Sequence, residues 1–150
     1  MVTVVVGRPD GEHVELEVVR RERPQASDFW DGNWLSCQVS LRVGSFSARY
    51  LAALRAEEFE RWLKAAQALS RTLQGEATFH TLEGQLLLSI SSVGSLGGLR
   101  VTGEARDQAG TGNRLRFALG DFDQTELPGL LGALEDVVRT YPVVGRPEGS

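Results

Sequence analysis

The sequence predicts an α+β domain of about eight mostly antiparallel strands, arranged as two halves that each hold two hairpins and then a helix packed on the sheet. Three observations carry this expectation. Apolar residues alternate at every second position over several short runs. A glycine-serine pair, Gly44-Ser45, joins two of these runs in a register that keeps their apolar residues on one face. Two longer stretches carry apolar residues at three- and four-residue spacing instead, the mark of a helix with one buried stripe.

The first hairpin is expected from strands over 2–6 and 12–19, where Val14, Leu16 and Val18 alternate with Glu15, Glu17 and Val19 around the turn Gly7-Arg8-Pro9-Asp10-Gly11. A polar stretch over 20–27 follows, with Pro24 blocking a helix. The second hairpin covers 35–54. A type II′ turn at Gly44-Ser45 pairs Val43 with Phe46, Leu41 with Ala48, Val39 with Tyr50 and Cys37 with Ala52, all on the apolar face. Helix spacing then runs over 57–74 through Phe59, Trp62, Leu63, Ala66, Leu69 and Leu73, with Gly75 as the expected stop.

The second half repeats this order. Ala77, Phe79 and Thr81 alternate, then Leu86, Leu88 and Ile90 around Glu83-Gly84, then Leu99, Val101, Gly103 and Ala105, then Leu115, Phe117 and Leu119. Pairing Ala105 with Leu115 sets Arg106 beside Arg114 and Glu104 beside Arg116 on the outward face. A last helix is expected over 126–140, with Thr125 as N-cap and Leu127, Leu130, Leu131, Leu134 and Val138 as its stripe. Residues 143–150 read as a flexible tail to a single domain spanning 1–150.

Composition limits the function. The chain has 150 residues, enough for one core without a disulfide or metal staple. Its formal charge of −4 argues against a dedicated nucleic-acid binder, and no apolar run is long enough to cross a membrane. Cys37 is the sole cysteine and reads as a buried thiol; with no signal-peptide pattern at the N-terminus, a cytoplasmic location is expected. His13 and His80, the two histidines, show no ligand spacing, so neither a metal site nor a cofactor is expected. The glycine-rich stretch at 93–98 lacks the lysine of a phosphate-binding loop. Asp121 and Asp123 read as loop caps before the last helix, with an acid–base pair or a divalent-ion site as the other reading. Arg100, Arg106, Arg114 and Arg116 form either a solvated sheet face or a site for a phosphate or an acidic partner.

The densest signal is Asp28-Phe29-Trp30-Asp31-Gly32-Asn33-Trp34-Leu35, two tryptophans and two acids around an Asp-Gly-Asn turn. Trp34 has the opposite parity to Leu35 and Cys37, so it points away from the main apolar face and is either covered by a helix or loop or left exposed. Phe29, Trp30, Asp31 and Trp34 are therefore the candidate partner-binding residues, aromatic anchors beside acids, unless the turn serves packing alone. No nucleophile–base set accompanies them, so a non-catalytic binding module is favoured; a small-molecule binder or enzyme using a cavity between sheet and helices is the alternative.

Trp30-Asp31-Gly32-Asn33-Trp34-Leu35, the strand Gln38-Val39-Ser40-Leu41-Arg42-Val43, the turn Gly44-Ser45-Phe46 and the helix pattern Glu58-Phe59-x-x-Trp62-Leu63 resemble the WapI-type immunity protein family of small bacterial proteins. The resemblance runs from about residue 27 to 73, and by element order to the end. It implies a cytoplasmic antitoxin that binds and blocks the toxin domain of a polymorphic toxin, often a nuclease. An acidic chain suits a basic toxin of that kind. The resemblance transfers no individual binding residue.

Overall fold

A computed structural model describes residues 1–95, 98–120 and 122–148. Among these, eight strands form two four-stranded antiparallel meanders. The first sheet runs β1 (Val2–Gly7), β2 (His13–Arg21), β3 (Trp34–Val43) and β4 (Phe46–Arg55); the second runs β5 (Glu76–Phe79), β6 (Leu86–Val93), β7 (Gly98–Arg106) and β8 (Arg114–Leu119). Helix α1 (Phe29–Gly32) is a single turn between β2 and β3, α2 (Ala56–Thr72) links the sheets, and α3 (Leu127–Thr140) follows β8. The α+β class and the antiparallel order agree with the alternation in the sequence.

The β3–β4 register is the one that the turn requires: Cys37 opposes Ala52, Val39 opposes Tyr50, Leu41 opposes Ala48 and Val43 opposes Phe46. Gly44 supplies the positive φ, 58°, of the first central position. Phe46 departs from the expected burial, with 63% of its surface exposed. It stands at the hairpin tip, beyond the reach of the layers that cover the rest of its face. In the second sheet Ala105 opposes Leu115, Glu104 opposes Arg116 and Arg106 opposes Arg114, as the alternation predicts.

The inner faces of both sheets and the stripes of α2 and α3 share one apolar cluster. Trp62 of α2 is fully buried and stacks on Phe79 of β5 with ring centroids 4.5 Å apart. Both helix ends differ from expectation. Leu73 already takes the left-handed conformation directly after α2, at φ 54°, two residues before Gly75 at φ 85°, and its N–H bonds the carbonyl of Leu69 at 2.7 Å. The strain of about 1–2 kcal/mol is offset by packing, because Leu73 lies against the core. Before the other helix Asp123, not Thr125, is the capping side chain, and it caps a short 3-10 turn (Gln124–Glu126) that leads into α3: its Oδ1 accepts the Thr125 N–H at 2.8 Å, and the Glu126 carboxylate accepts the Asp123 N–H at 3.1 Å. Asp121 lies outside the described residues.

Polar side chains tie the two sheets together. Glu12, in the β1–β2 turn, accepts the N–H of Gly120 at 2.8 Å and of Gly44 at 2.6 Å. These backbone bonds, Gly120 first, hold its carboxyl below the ordinary value. Gln85 acts on the outer edge of β4: its amide nitrogen donates to the Leu51 carbonyl at 3.1 Å and its amide oxygen accepts the Ala53 N–H at 3.2 Å. Edge groups that would otherwise be open to a foreign strand are satisfied within the chain.

Cys37 is buried at 2% exposure, and burial pushes its thiol up to about 12. Thiol reagents act on the thiolate. The native protein should therefore label slowly and the urea-unfolded protein at the rate of a free thiol. Complete labelling of the native protein within the time course of the unfolded control would contradict this placement.

Candidate functional site

The segment between β2 and β3 folds as one helical turn because its ends are satisfied by side chains. Asp28 is the N-cap and accepts the Asp31 N–H at 3.0 Å. At the other end a helix leaves carbonyls without partners. Arg55 fills this need, donating through Nη2 to the Phe29 carbonyl at 2.7 Å and through Nη1 to the Trp30 carbonyl at 2.9 Å.

Arg55 is the last residue of β4 and lies opposite Trp34. It is 1% exposed, and its guanidinium is 5.1 Å from the Phe29 ring centroid, 5.4 Å from that of Trp30 and 4.7 Å from that of Trp34. Its Nε pairs with Glu57 at the start of α2. A buried cation is costly unless it is paired and hydrogen-bonded. Here one carboxylate, two carbonyls and three aromatic faces meet that requirement. Trp34 is thus half-buried, with a side chain of its own sheet, Arg55, against its ring.

Asn33 locks the turn to the end of the chain. Fully buried, it donates through Nδ2 to the Phe29 and Val144 carbonyls, each at 2.9 Å, and its Oδ1 accepts the Val144 N–H at 2.9 Å. Arg21 donates to the Gly32 carbonyl at 2.7 Å and to the Pro142 carbonyl. A Cβ at Gly32 would meet Val144 Cγ2 at 2.6 Å and the Ala26 carbonyl oxygen at 2.7 Å, so only glycine permits this approach. The first residues of the segment read as a tail are therefore a strap across the aromatic turn.

Glu58, 3% exposed, accepts the Arg55 N–H at 2.7 Å and the Leu82 N–H, joining the start of α2 to the β5–β6 loop. Burial pushes its carboxyl up to about 7, against the pull of the Leu82 and Arg55 backbone bonds.

The four candidate residues fare differently. Phe29 is buried at 8% exposure and Trp34 is half-buried under Arg55, whereas Trp30 is 55% exposed and Asp31 is exposed and paired with Arg23 at 2.8 Å. Trp30 meets Phe29 edge to face at 4.9 Å. Beside it opens a depression of about 380 Å³ whose lining includes Trp30, Arg61, His80, Leu82 and Pro147, with Arg55, Glu57 and Glu58 beneath. Leu82 is 66% exposed. Sequence reasoning named Asn33 only as part of the turn and overlooked Arg55 and Leu82. Extending the β3–β4 register one pair beyond Leu35 and Leu54 would have set Arg55 against Trp34; nothing local marks Leu82. No cluster of three or more His, Cys, Asp or Glu side chains able to hold a metal is found among the described residues.

No curated protein matches this chain. A family model does: it matches residues 5–142, which takes in the caged arginine, the exposed tryptophan and both sheets apart from the start of β1, and by that match the chain belongs to the immunity protein WapI-like family.

Proposed function

We propose that this chain is a non-catalytic immunity protein that binds and neutralises a cognate toxin domain, with the surface around Trp30 as part of the contact. Family membership supports the immunity role. The exposed ring of Trp30, at 55%, carries the choice of surface. Its carbonyl is held by Arg55, and the backbone of its neighbours Asp31 and Phe29 by Asp28 and Asn33, so the ring is presented at little further conformational cost. Asp31, and the chain's formal charge of −4, favour encounter with a basic toxin.

The test is co-purification with the toxin-like domain encoded by a neighbouring reading frame, followed by affinity and melting measurements on Trp30→Ala. An anchor at an interface centre contributes about 2 kcal/mol or more, roughly thirtyfold in affinity. Because more than half of the ring is already in water, the melting temperature should move little. Unchanged affinity together with a large drop in melting temperature would assign the ring to packing and remove this surface.

A further inference from the structure

The outward face of the second sheet carries charge opposite to that of the chain as a whole. Arg100 and Arg106 on β7 and Arg114 and Arg116 on β8 project there, against Glu76 of β5 and Glu104 of β7. Glu104 is shared, 3.0 Å from Arg114 and 3.9 Å from Arg116. One carboxylate thus faces two guanidinium groups, and those of Arg100 and Arg106 form no ion pair among the described residues. On a chain of formal charge −4 this is a local cationic surface.

The same face holds a groove of about 450 Å³. Leu87 lines it, with the hydroxyl side chains of Thr78, Ser89 and Thr102 beside Glu104 and Arg116. Leu88, Gly103 and Phe117 complete its lining, while Leu86, Val101 and Ala105, of the opposite parity to Leu87 and Thr102, are buried in the apolar cluster.

We propose that this groove is a second binding surface, one that takes an acidic, partly apolar segment of a protein partner. The dimensions choose between anions. Arg100 and Arg106 stand six residues apart on β7, roughly 20 Å along the strand. Arg106 and Arg114 are cross-strand neighbours, but Arg100 stands most of a strand away, so the face as a whole matches carboxylates distributed along an extended chain or one face of a helix better than a single phosphate. The lining chooses between polymers. A nucleic acid would set phosphates against Glu104, whereas Leu87 offers an apolar side chain a place between the charges. The proposal goes beyond the toxin contact at Trp30 and does not depend on it.

The experiment follows backbone amide shifts of the full chain at low ionic strength, with a short peptide of alternating glutamate and leucine as the probe. Saturable shifts are expected at Leu87, Thr102, Glu104 and Arg116. They should weaken about tenfold in the Arg100→Gln/Arg116→Gln variant and at raised salt. The variant's retained shift dispersion shows that it is folded. Inorganic phosphate and a single-stranded oligonucleotide are the competing probes, and neither should saturate the same amides. Absence of saturable shifts, shifts that map to another face, an unweakened double variant, or tighter binding of either competing probe would each overturn the proposal.

Discussion

Arg55→Ala should destabilise the fold by about 3–5 kcal/mol, among the largest effects of any single polar truncation in this chain. The wild-type guanidinium is buried and meets one carboxylate, two carbonyls and three rings. Alanine removes all of these at once. It takes the Arg55 donors from the Phe29 and Trp30 carbonyls, the first of which keeps the Asn33 amide, and it leaves the Glu57 carboxylate, whose Oε1 already accepts no hydrogen bond among the described residues, without its cation. Most of the loss is therefore the cost of stranded groups, not the worth of the pair. Two further variants separate the contributions. Arg55→Lys keeps the charge but lacks the planar fork, so it should recover less than half of the loss. Adding Glu57→Gln to Arg55→Ala removes the stranded charge and should recover at least about 1 kcal/mol. Urea unfolding measures all three. A loss below about 1 kcal/mol for Arg55→Ala would show that the turn does not need its arginine.

This arginine marks where the sequence stops being legible. Period-two alternation and the Gly44-Ser45 turn fix the β3–β4 register to the residue, because a one-residue slip would turn every apolar side chain outward. The same logic locates Arg106 against Arg114 and Glu104 against Arg116. Burial patterns constrain apolar residues, and they say little about polar ones that a distant element satisfies. Asn33 is fully buried because Val144 returns to it, 111 residues away in sequence. Glu58 has the look of an ordinary first-turn acid, and its second partner, the Leu82 N–H, comes from the distant β5–β6 loop. The aromatic turn shows the same division. Its richness in tryptophan is visible at once, whereas the split into a half-buried Trp34 and an open Trp30 depends on Arg55 reaching across from β4. The Asn-Trp-Leu run that carries the family resemblance owes its composition to three separate tasks: Asn33 holds the strap, Trp34 lies against Arg55, and Leu35 enters the core.

Stability should fall as pH rises from about 5 to 8, through Glu58. Its carboxyl lies at about 7 in the fold, chiefly because burial disfavours the charge, against an ordinary value of 4.5. Below the ordinary value both folded and unfolded chains hold the proton, and the contribution to stability is fully present. Between the two values the unfolded chain releases its proton while the folded one keeps it, so folding is progressively disfavoured. Above the folded value the loss is complete and amounts to roughly 3 kcal/mol, at about 1.4 kcal/mol per unit. Glu12 acts in the opposite sense. Its carboxyl is held low by the Gly120 and Gly44 N–H groups, so its contribution is present above the ordinary value and lost as pH falls through the folded one. The two slopes place the maximum of stability on the acid side of neutrality. Urea unfolding from pH 4 to 9 on the wild type and on Glu58→Gln tests this. The amide satisfies one of the two backbone N–H groups and not the other, so the variant should be less stable near pH 5 and show a flatter decline toward pH 8. If the variant keeps the wild-type slope, the neutral-pH loss belongs to another group, and the junction of α2 with the β5–β6 loop carries its carboxylate in the charged form throughout.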